Sequence, residues 1–253
     1  MLKKIVRVLV PALTIFALWY VGSVINPDAL SSPIRVLELA FTYTVDGGPP
    51  PYPQSAASDL AISLYRVILA TFIALFLSVT IGILMGFNDK FESVVSDWIP
   101  LWLTLPDVVV ILVVMIILGF TSTSVVVAVV LSITPFGVVN MWEGIRDLDS
   151  NLVEMAYSFD SSQYLNWRYI YFPHLASYIF ASFRYIFGMV WKVVIVAEAF
   201  GVNRGIGAIF RTWYNLASVE NILAYFVLFV FVMLIIEYVI LKEIERRAFA
   251  WKN

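Results

Sequence analysis

The chain has 253 residues, 61% of them hydrophobic and 13% charged, and a mean hydropathy of +0.90, which excludes an ordinary water-soluble domain and points to an integral membrane protein. Its 16 basic and 18 acidic residues, a formal net charge of −2, leave no basic surface for a phosphate backbone, so nucleic acid is excluded as a partner. The lack of cysteine excludes disulfides, iron–sulfur centres and thiol nucleophiles, and the single histidine, His174, argues against a histidine-rich zinc site.

A membrane-crossing helix needs about 20 largely apolar residues, because no backbone polar group can be left unpaired in hydrocarbon. The first such run centres on Val8 to Ile25 and gives a span over 5–25. It is longer than a signal-peptide core and has no small-x-small cleavage site. Residues 26–60 follow as an external segment that ends in Pro49-Pro50-Pro51 and Pro53, with a short helix predicted from Ser32 to Phe41 and Pro33 in its first turn. The second span is read over 65–87. No charge occurs from Val108 to Trp142, too long for one crossing, and Gly119 with the hydroxyl run Thr121 to Ser124 divides it into spans over 98–118 and 123–141. Two more spans are read over 178–200 and 221–241.

Six spans place both termini on one side. Lys3, Lys4, Arg7, Lys90, Arg146, Arg168, Lys242, Arg246, Arg247 and Lys252 share that side, against Arg35, Arg66, Arg204 and Arg211 on the other. By the positive-inside rule the termini are expected in the cytoplasm, in one transmembrane domain covering 1–253. Trp19, Trp98, Trp102, Trp142 and Trp213 fall near span ends, as an interfacial aromatic belt requires.

The cytoplasmic segment, 143–177, holds an apolar stripe in a stretch too short and polar to span: Leu152, Met155, Ala156, Phe159 and Tyr164 at near-helical spacing, with Ser150 placed to cap. Either the chain's own helix ends or a separate protein must cover it. The segment resembles the signature loop of the permeases of ATP-binding-cassette importers, Glu-Ala-Ala, three residues, Gly, nine residues, Ile, any residue, Leu-Pro. Glu154, Ala156, Ile170 and Pro173 match, Met155 and Phe172 replace an alanine and a leucine, and Asp160 stands at the glycine. An aspartate there is expected to cap a second short helix from Ser161 rather than make the tight bend a glycine allows.

More of the chain is similar to the nitrate, sulfonate, taurine and bicarbonate branch of that family. The matching pieces are Ser63-Leu64-Tyr65-Arg66-Val67, Gly82 with Gly86, Leu105-Pro106, Gly119, Ala197-Glu198-Ala199-Phe200-Gly201 with Gly205 and Gly207, and Glu245-Arg246-Arg247 with Trp251. The resemblance implies an all-α, six-helix type I importer permease fold with a cytoplasmic coupling-helix loop. It also implies a second, identical permease subunit, two cytoplasmic subunits that bind ATP and Mg, and an extracytoplasmic substrate-binding protein. Glu154, Met155, Ala156, Phe159, Asp160 and Pro173 then belong to the coupling element. The chain itself has no Gly-Lys pair and hence no phosphate-cradling loop, so it is not expected to be the ATPase.

Charges at membrane depth should face protein or water. Lys192 lies mid-span and suits either an anionic solute or a partner on another helix. Six residues further on, about 240° around a helix, Glu198 is not its partner. Glu198, kept with Lys192 as a pathway candidate, and Arg184 lie nearer the span ends, within reach of water. Asp107, after Pro106, either caps a broken helix or contacts solute, and Gly82 and Gly86 are expected to let helices pack closely. An ion-coupled secondary transporter or a membrane scaffold would keep the spans; the first calls for inverted repeats and deep carboxylates, and neither needs a docking loop.

Overall fold

The computed structural model describes residues 2–27, 29–52, 54–243 and 246, all in helices and the turns between them. In chain order these are α1 (Leu2–Ile25), α2 (Pro33–Val45), α3 (Ala56–Phe87), α4 (Asp89–Val95), α5 (Trp98–Leu103), α6 (Asp107–Leu118) and α7 (Ser122–Arg146). Then come α8 (Ser150–Ser158), α9 (Gln163–Asn166), α10 (Phe172–Gly201), α11 (Ile206–Asn215) and α12 (Val219–Ile235). Among the described residues four helical stretches are long and apolar enough to cross a membrane, Ala56–Phe87, Ser122–Arg146, Gln163–Gly201 and Val219–Val239, or five if one bent pair counts as a single span. The tail motif at Glu245, Arg247 and Trp251 lies outside the described residues, and Arg246 is helical.

That bent pair lies where 98–118 was read as one span. Asp89–Leu103 and Asp107–Leu118 meet at 101°. Pro106 has no N–H to give and biases Leu105 away from helical geometry, so the helix stops at Leu103 and restarts at Asp107. Asp107 starts α6 but does not cap it: Pro106 holds the cap position, with no side-chain cap bond. A carboxylate in the first turn still suits the positive end of the helix dipole. The next break falls where the sequence placed it. Gly119 takes φ +82°, and Thr121 and Ser124 then form a reciprocal capping box that starts α7.

The contacts group into two compact units, 1–62 with 204–253, and 63–203. In the first, Ser32 caps α2 with Pro33 in its first turn. α2 packs on α12: the Tyr43 and Tyr225 rings stack with centroids 5.2 Å apart, the Tyr43 hydroxyl donates to Asn221, and Arg35 pairs with Glu220 at 3.2 Å. The external segment is therefore tied to the start of the last long helix.

In the second unit α7 is the central element, buried along most of its length, with α3, α6 and α10 against it. Met85, Ile99 and Val138 form one core cluster and Met141, Ile145 and Leu175 another. Glycine permits the approach of α3 to α7: a Cβ on Gly82 would stand 2.5 Å from the Met141 Cβ, and one on Gly86 2.6 Å from Ile145. His174 joins α10 to α7, its Nε2 2.8 Å from the Gly144 carbonyl oxygen.

Candidate functional site

Asp149 rather than Ser150 opens α8, its Oδ1 accepting from the Asn151 N–H at 2.9 Å. The helix is nine residues long, under half the length of a crossing, and its apolar stripe is bare: Leu152, Met155 and Phe159 are exposed, Phe159 to 80%. Glu154 is exposed beside them and Ala156 half-buried.

The expectation for Asp160 is corrected. It caps nothing; it takes φ +54°, the left-handed conformation that a glycine would adopt, and the chain bends there. Aspartate tolerates this region better than most side chains, so the tight turn survives the substitution. The following helix, α9, is capped by Ser162, whose Oγ accepts from the Leu165 N–H, and begins at Gln163 rather than Ser161.

From Gln163 the chain stays helical to Gly201. Between α9 and α10, Trp167–Tyr171 forms a π turn in which the Phe172 N–H reaches back to the Trp167 carbonyl. Pro173 explains it: its ring would collide with the carbonyl four residues back, and the wider turn makes room. One helical rod thus carries Pro173 near one end and Lys192 and Glu198 towards the other.

Glu198 does not reach water, contrary to the expectation. It is fully buried, 2.5 Å from Arg66 Nη1, and accepts from the Ser63 hydroxyl at 2.8 and 2.9 Å. Arg66, itself 2% exposed, also donates to Ser122 Oγ at 2.8 Å. Sequence reasoning quoted Ser63, Arg66 and Glu198 as separate motif pieces and missed that they form one network. The signal was present, since each charge at membrane depth needs a counter-charge.

A second buried carboxylate, Asp59, was not singled out. It is 0% exposed and accepts from the Tyr52 hydroxyl at 3.0 Å, Arg204 Nε at 3.0 Å and the Gly205 N–H at 2.7 Å. Gly205 takes φ +113°, which turns its N–H onto the carboxylate. Burial, then the Asp59 charge, pushes the Tyr52 hydroxyl well above the usual tyrosine range, and the bond to Asp59 raises Arg204.

Lys192 is exposed on α10 and Asp107 half-buried at the start of α6. Beside α10 a cavity of about 440 Å³ is lined by Leu103 of α5, by Phe136, Gly137, Val139, Asn140 and Glu143 of α7, and by Ala181, Ser182 and Tyr185. Among the described residues no three His, Cys, Asp or Glu side chains gather into a metal site.

The sequence matches the family described as binding-protein-dependent transport system inner membrane component over residues 78–247, more than half of the chain. The chain belongs to that family. This permease is therefore a multi-pass inner-membrane subunit of an ATP-binding-cassette importer, and the secondary-transporter and scaffold readings are set aside. Membership implies ATPase and binding-protein partners.

The permease is 24% identical over 248 residues to the aliphatic sulfonates transport permease protein SsuC of Bacillus subtilis (strain 168), covering 97% of this chain and 87% of that one. It is 23% identical to the taurine transport system permease protein TauC of Escherichia coli (strain K12), over 92% of this chain and 84% of that one. Its fold is that of a chain in the inward-facing MetNI methionine ABC transporter, with a TM-score of 0.64 at 16% identity, covering 74% of this chain and 93% of that one.

Proposed function

We propose that this permease is one of two identical subunits enclosing the path of an importer for small organic anions of the sulfonate and taurine type. Two separate cytoplasmic subunits bind ATP and Mg and supply the energy, and an extracytoplasmic binding protein delivers the solute. The chain crosses the membrane six times as one permease domain, with both termini in the cytoplasm and residues 26–60 outside.

The observation that carries the ATP-driven reading is the bare apolar stripe of α8, which fits a groove on an ATPase subunit. Glu154, Met155, Ala156, Phe159, Asp160 and Pro173 make up the coupling element. Closure of the ATPases on ATP draws the two α8 helices together, and the rod from Gln163 to Gly201 carries that movement into the membrane. The solute class is supported by the near full-length similarity to SsuC and TauC and by the exposed Lys192. Lys192 and Asp107 remain the pathway candidates, and Glu198, buried against Arg66, is assigned to holding α3 and α10 together.

Mass spectrometry of the complex that co-purifies with the tagged chain in mild detergent tests the assembly. Two permeases with two subunits carrying a phosphate-binding loop is the expected result. A stable species of this chain alone, with α8 intact and ATP present, sinks it. Uptake of taurine and short alkanesulfonates by proteoliposomes holding the complex and its binding protein tests the solute class.

A further inference from the structure

The surface of α2 divides into three sectors. At about 100° per residue, Pro33, Val36, Ala40 and Tyr43 fall within about 80° of arc, and all four are buried. Ile34, Leu37, Phe41 and Val45 fill about the next 80° and are exposed, Phe41 to 73%. Arg35, Glu38 and Thr42, exposed as well, take about 60° beyond that. At the edge of the apolar sector the Thr44 hydroxyl donates to the Ala40 carbonyl at 2.9 Å, so its proton is satisfied without water. A helix resting on a water-soluble surface needs only a packed face and a polar one. The third sector, apolar and bare, calls for a cover.

The contacts of α2 set its depth. The span Val219–Val239 has 21 residues and is thus about 31 Å long, close to the thickness of a hydrocarbon core. The residues of α12 that hold α2, Glu220, Asn221 and Tyr225, all lie within about 9 Å of its start. Arg35 and Tyr43 stand about 12 Å apart along α2, yet their polar partners Glu220 and Asn221 are neighbours in sequence. α2 therefore lies across the start of α12 and not alongside it. Just before α2, the Ser31 carbonyl accepts from the Trp19 indole N–H at 3.0 Å, and Trp19 is about 9 Å short of the end of α1 at Ile25. The same stretches of both helices expose further apolar side chains, Val21 and Val24 on α1 and Val219 and Phe226 on α12.

We propose that α2 is an interfacial helix whose Ile34, Leu37, Phe41 and Val45 sector is covered by lipid at the boundary of headgroups and acyl chains, with Arg35, Glu38 and Thr42 facing water. An amphipathic helix in that plane sinks its apolar face about 5–10 Å, the depth at which α12 and Trp19 hold this one. A water-soluble binding protein does not reach the apolar sector there. Arg35 and Glu38 cancel in charge, so the attachment rests on apolar burial and not on anionic headgroups. α2 thereby fixes the ends of α1 and α12 at one depth in the leaflet.

The lack of cysteine in this chain allows a direct test. Leu37→Cys and Phe41→Cys report the apolar sector, Glu38→Cys and Thr42→Cys the polar one, and all four positions are exposed, so the fold is not at stake. Each variant is nitroxide-labelled in the complex, with the partner subunits made cysteine-free, and reconstituted in phosphatidylcholine vesicles with and without phosphatidylglycerol. Electron paramagnetic resonance then compares collision with oxygen, which concentrates in lipid, and with a water-soluble nickel chelate. Labels at positions 37 and 41 should favour oxygen several-fold over those at 38 and 42, to the same extent in both lipid mixtures. Equal access of the chelate to all four positions puts the helix in water and overturns the proposal. Labels at 37 and 41 that neither reagent reaches overturn it in favour of a protein cover, and dipolar broadening between labels identifies that cover as a second copy of the chain. A preference for oxygen that appears only with phosphatidylglycerol overturns the account of apolar burial as the source of attachment.

Discussion

Arg66 of α3 and Glu198 of α10 form an ion pair 2.5 Å long with almost no exposure on either side. Ser63, one turn before Arg66, gives its hydroxyl to the same carboxylate, so two motif pieces 132 positions apart in sequence become one polar contact in an apolar setting.

Removing one partner leaves the other charge buried without its counter-charge, which typically costs about 3–5 kcal/mol. Glu198→Ala and Arg66→Met should each lower the denaturation midpoint of the detergent-solubilised protein by an amount of that order. Arg66→Met/Glu198→Met should recover part of the loss, since neither charge then remains. Single variants as stable as the parent would show that the pair contributes nothing to holding α3 against α10.

Tyr52 gives a pH dependence whose sign follows from its contacts. Burial and the adjacent Asp59 charge raise its hydroxyl above the ordinary value of 10.0. The unfolded chain loses this proton near the ordinary value while the folded chain keeps it, so the unfolded state binds fewer protons in that range. The contribution is whole below about pH 9 and is lost as pH climbs through the unfolded value towards the raised one. Tyr52→Phe should flatten part of the fall in stability between about pH 9 and 11, measured as thermal midpoint against pH. An unchanged slope would mean that burial beside Asp59 does not protect the hydroxyl.

The helices and their breaks were legible because their causes are local. Apolar length marks α3, α7, α10 and α12, Gly119 with the Thr121 to Ser124 run marks the turn before α7, and Ser32-Pro33 marks the start of α2. The 101° bend at Pro106 was under-read, since an apolar run gives no sign of direction and a proline inside it is compatible with a kink or a break. Charge pairing was the least legible part. Arg66 with Glu198 and Asp59 with Arg204 depend on which helix faces meet, and those faces are set by long-range packing. The chemical identity of Asp160 pointed to a cap, but the turn demanded a left-handed residue and prevailed.

Gly82 and Gly86 offer a test of packing alone. A methyl on Gly82 would meet the Met141 Cβ at 2.5 Å and the Trp142 backbone nitrogen at 3.1 Å, and neither can move without shifting α7. Gly82→Ala should therefore destabilise by about 1–3 kcal/mol despite the better helix propensity of alanine. Gly188→Ala, with open space around it, should be neutral or stabilising by up to about 1 kcal/mol. Detergent-denaturation midpoints of the two variants decide it, and equal midpoints would show that α3 does not depend on close approach to α7.

The coupling element is tested at Glu154 and Asp160, whose side chains do different things. Glu154 is exposed beside the apolar stripe, so Glu154→Lys changes the charge of the proposed docking surface without touching a core. It should leave insertion and dimerisation intact while weakening ATPase attachment and uptake several-fold; normal attachment in detergent at fixed salt would count against placing the contact on α8. Asp160 acts through the backbone. At φ +54° a glycine is unstrained, an aspartate tolerated and a β-branched residue strongly disfavoured. Asp160→Gly should therefore keep attachment and stabilise the turn by up to about 1 kcal/mol, whereas Asp160→Val should cost about 1–2 kcal/mol and misdirect α8. If Asp160→Val binds the ATPase as well as Asp160→Gly does, the bend is not what aims the helix, and the carboxylate or its neighbours must be.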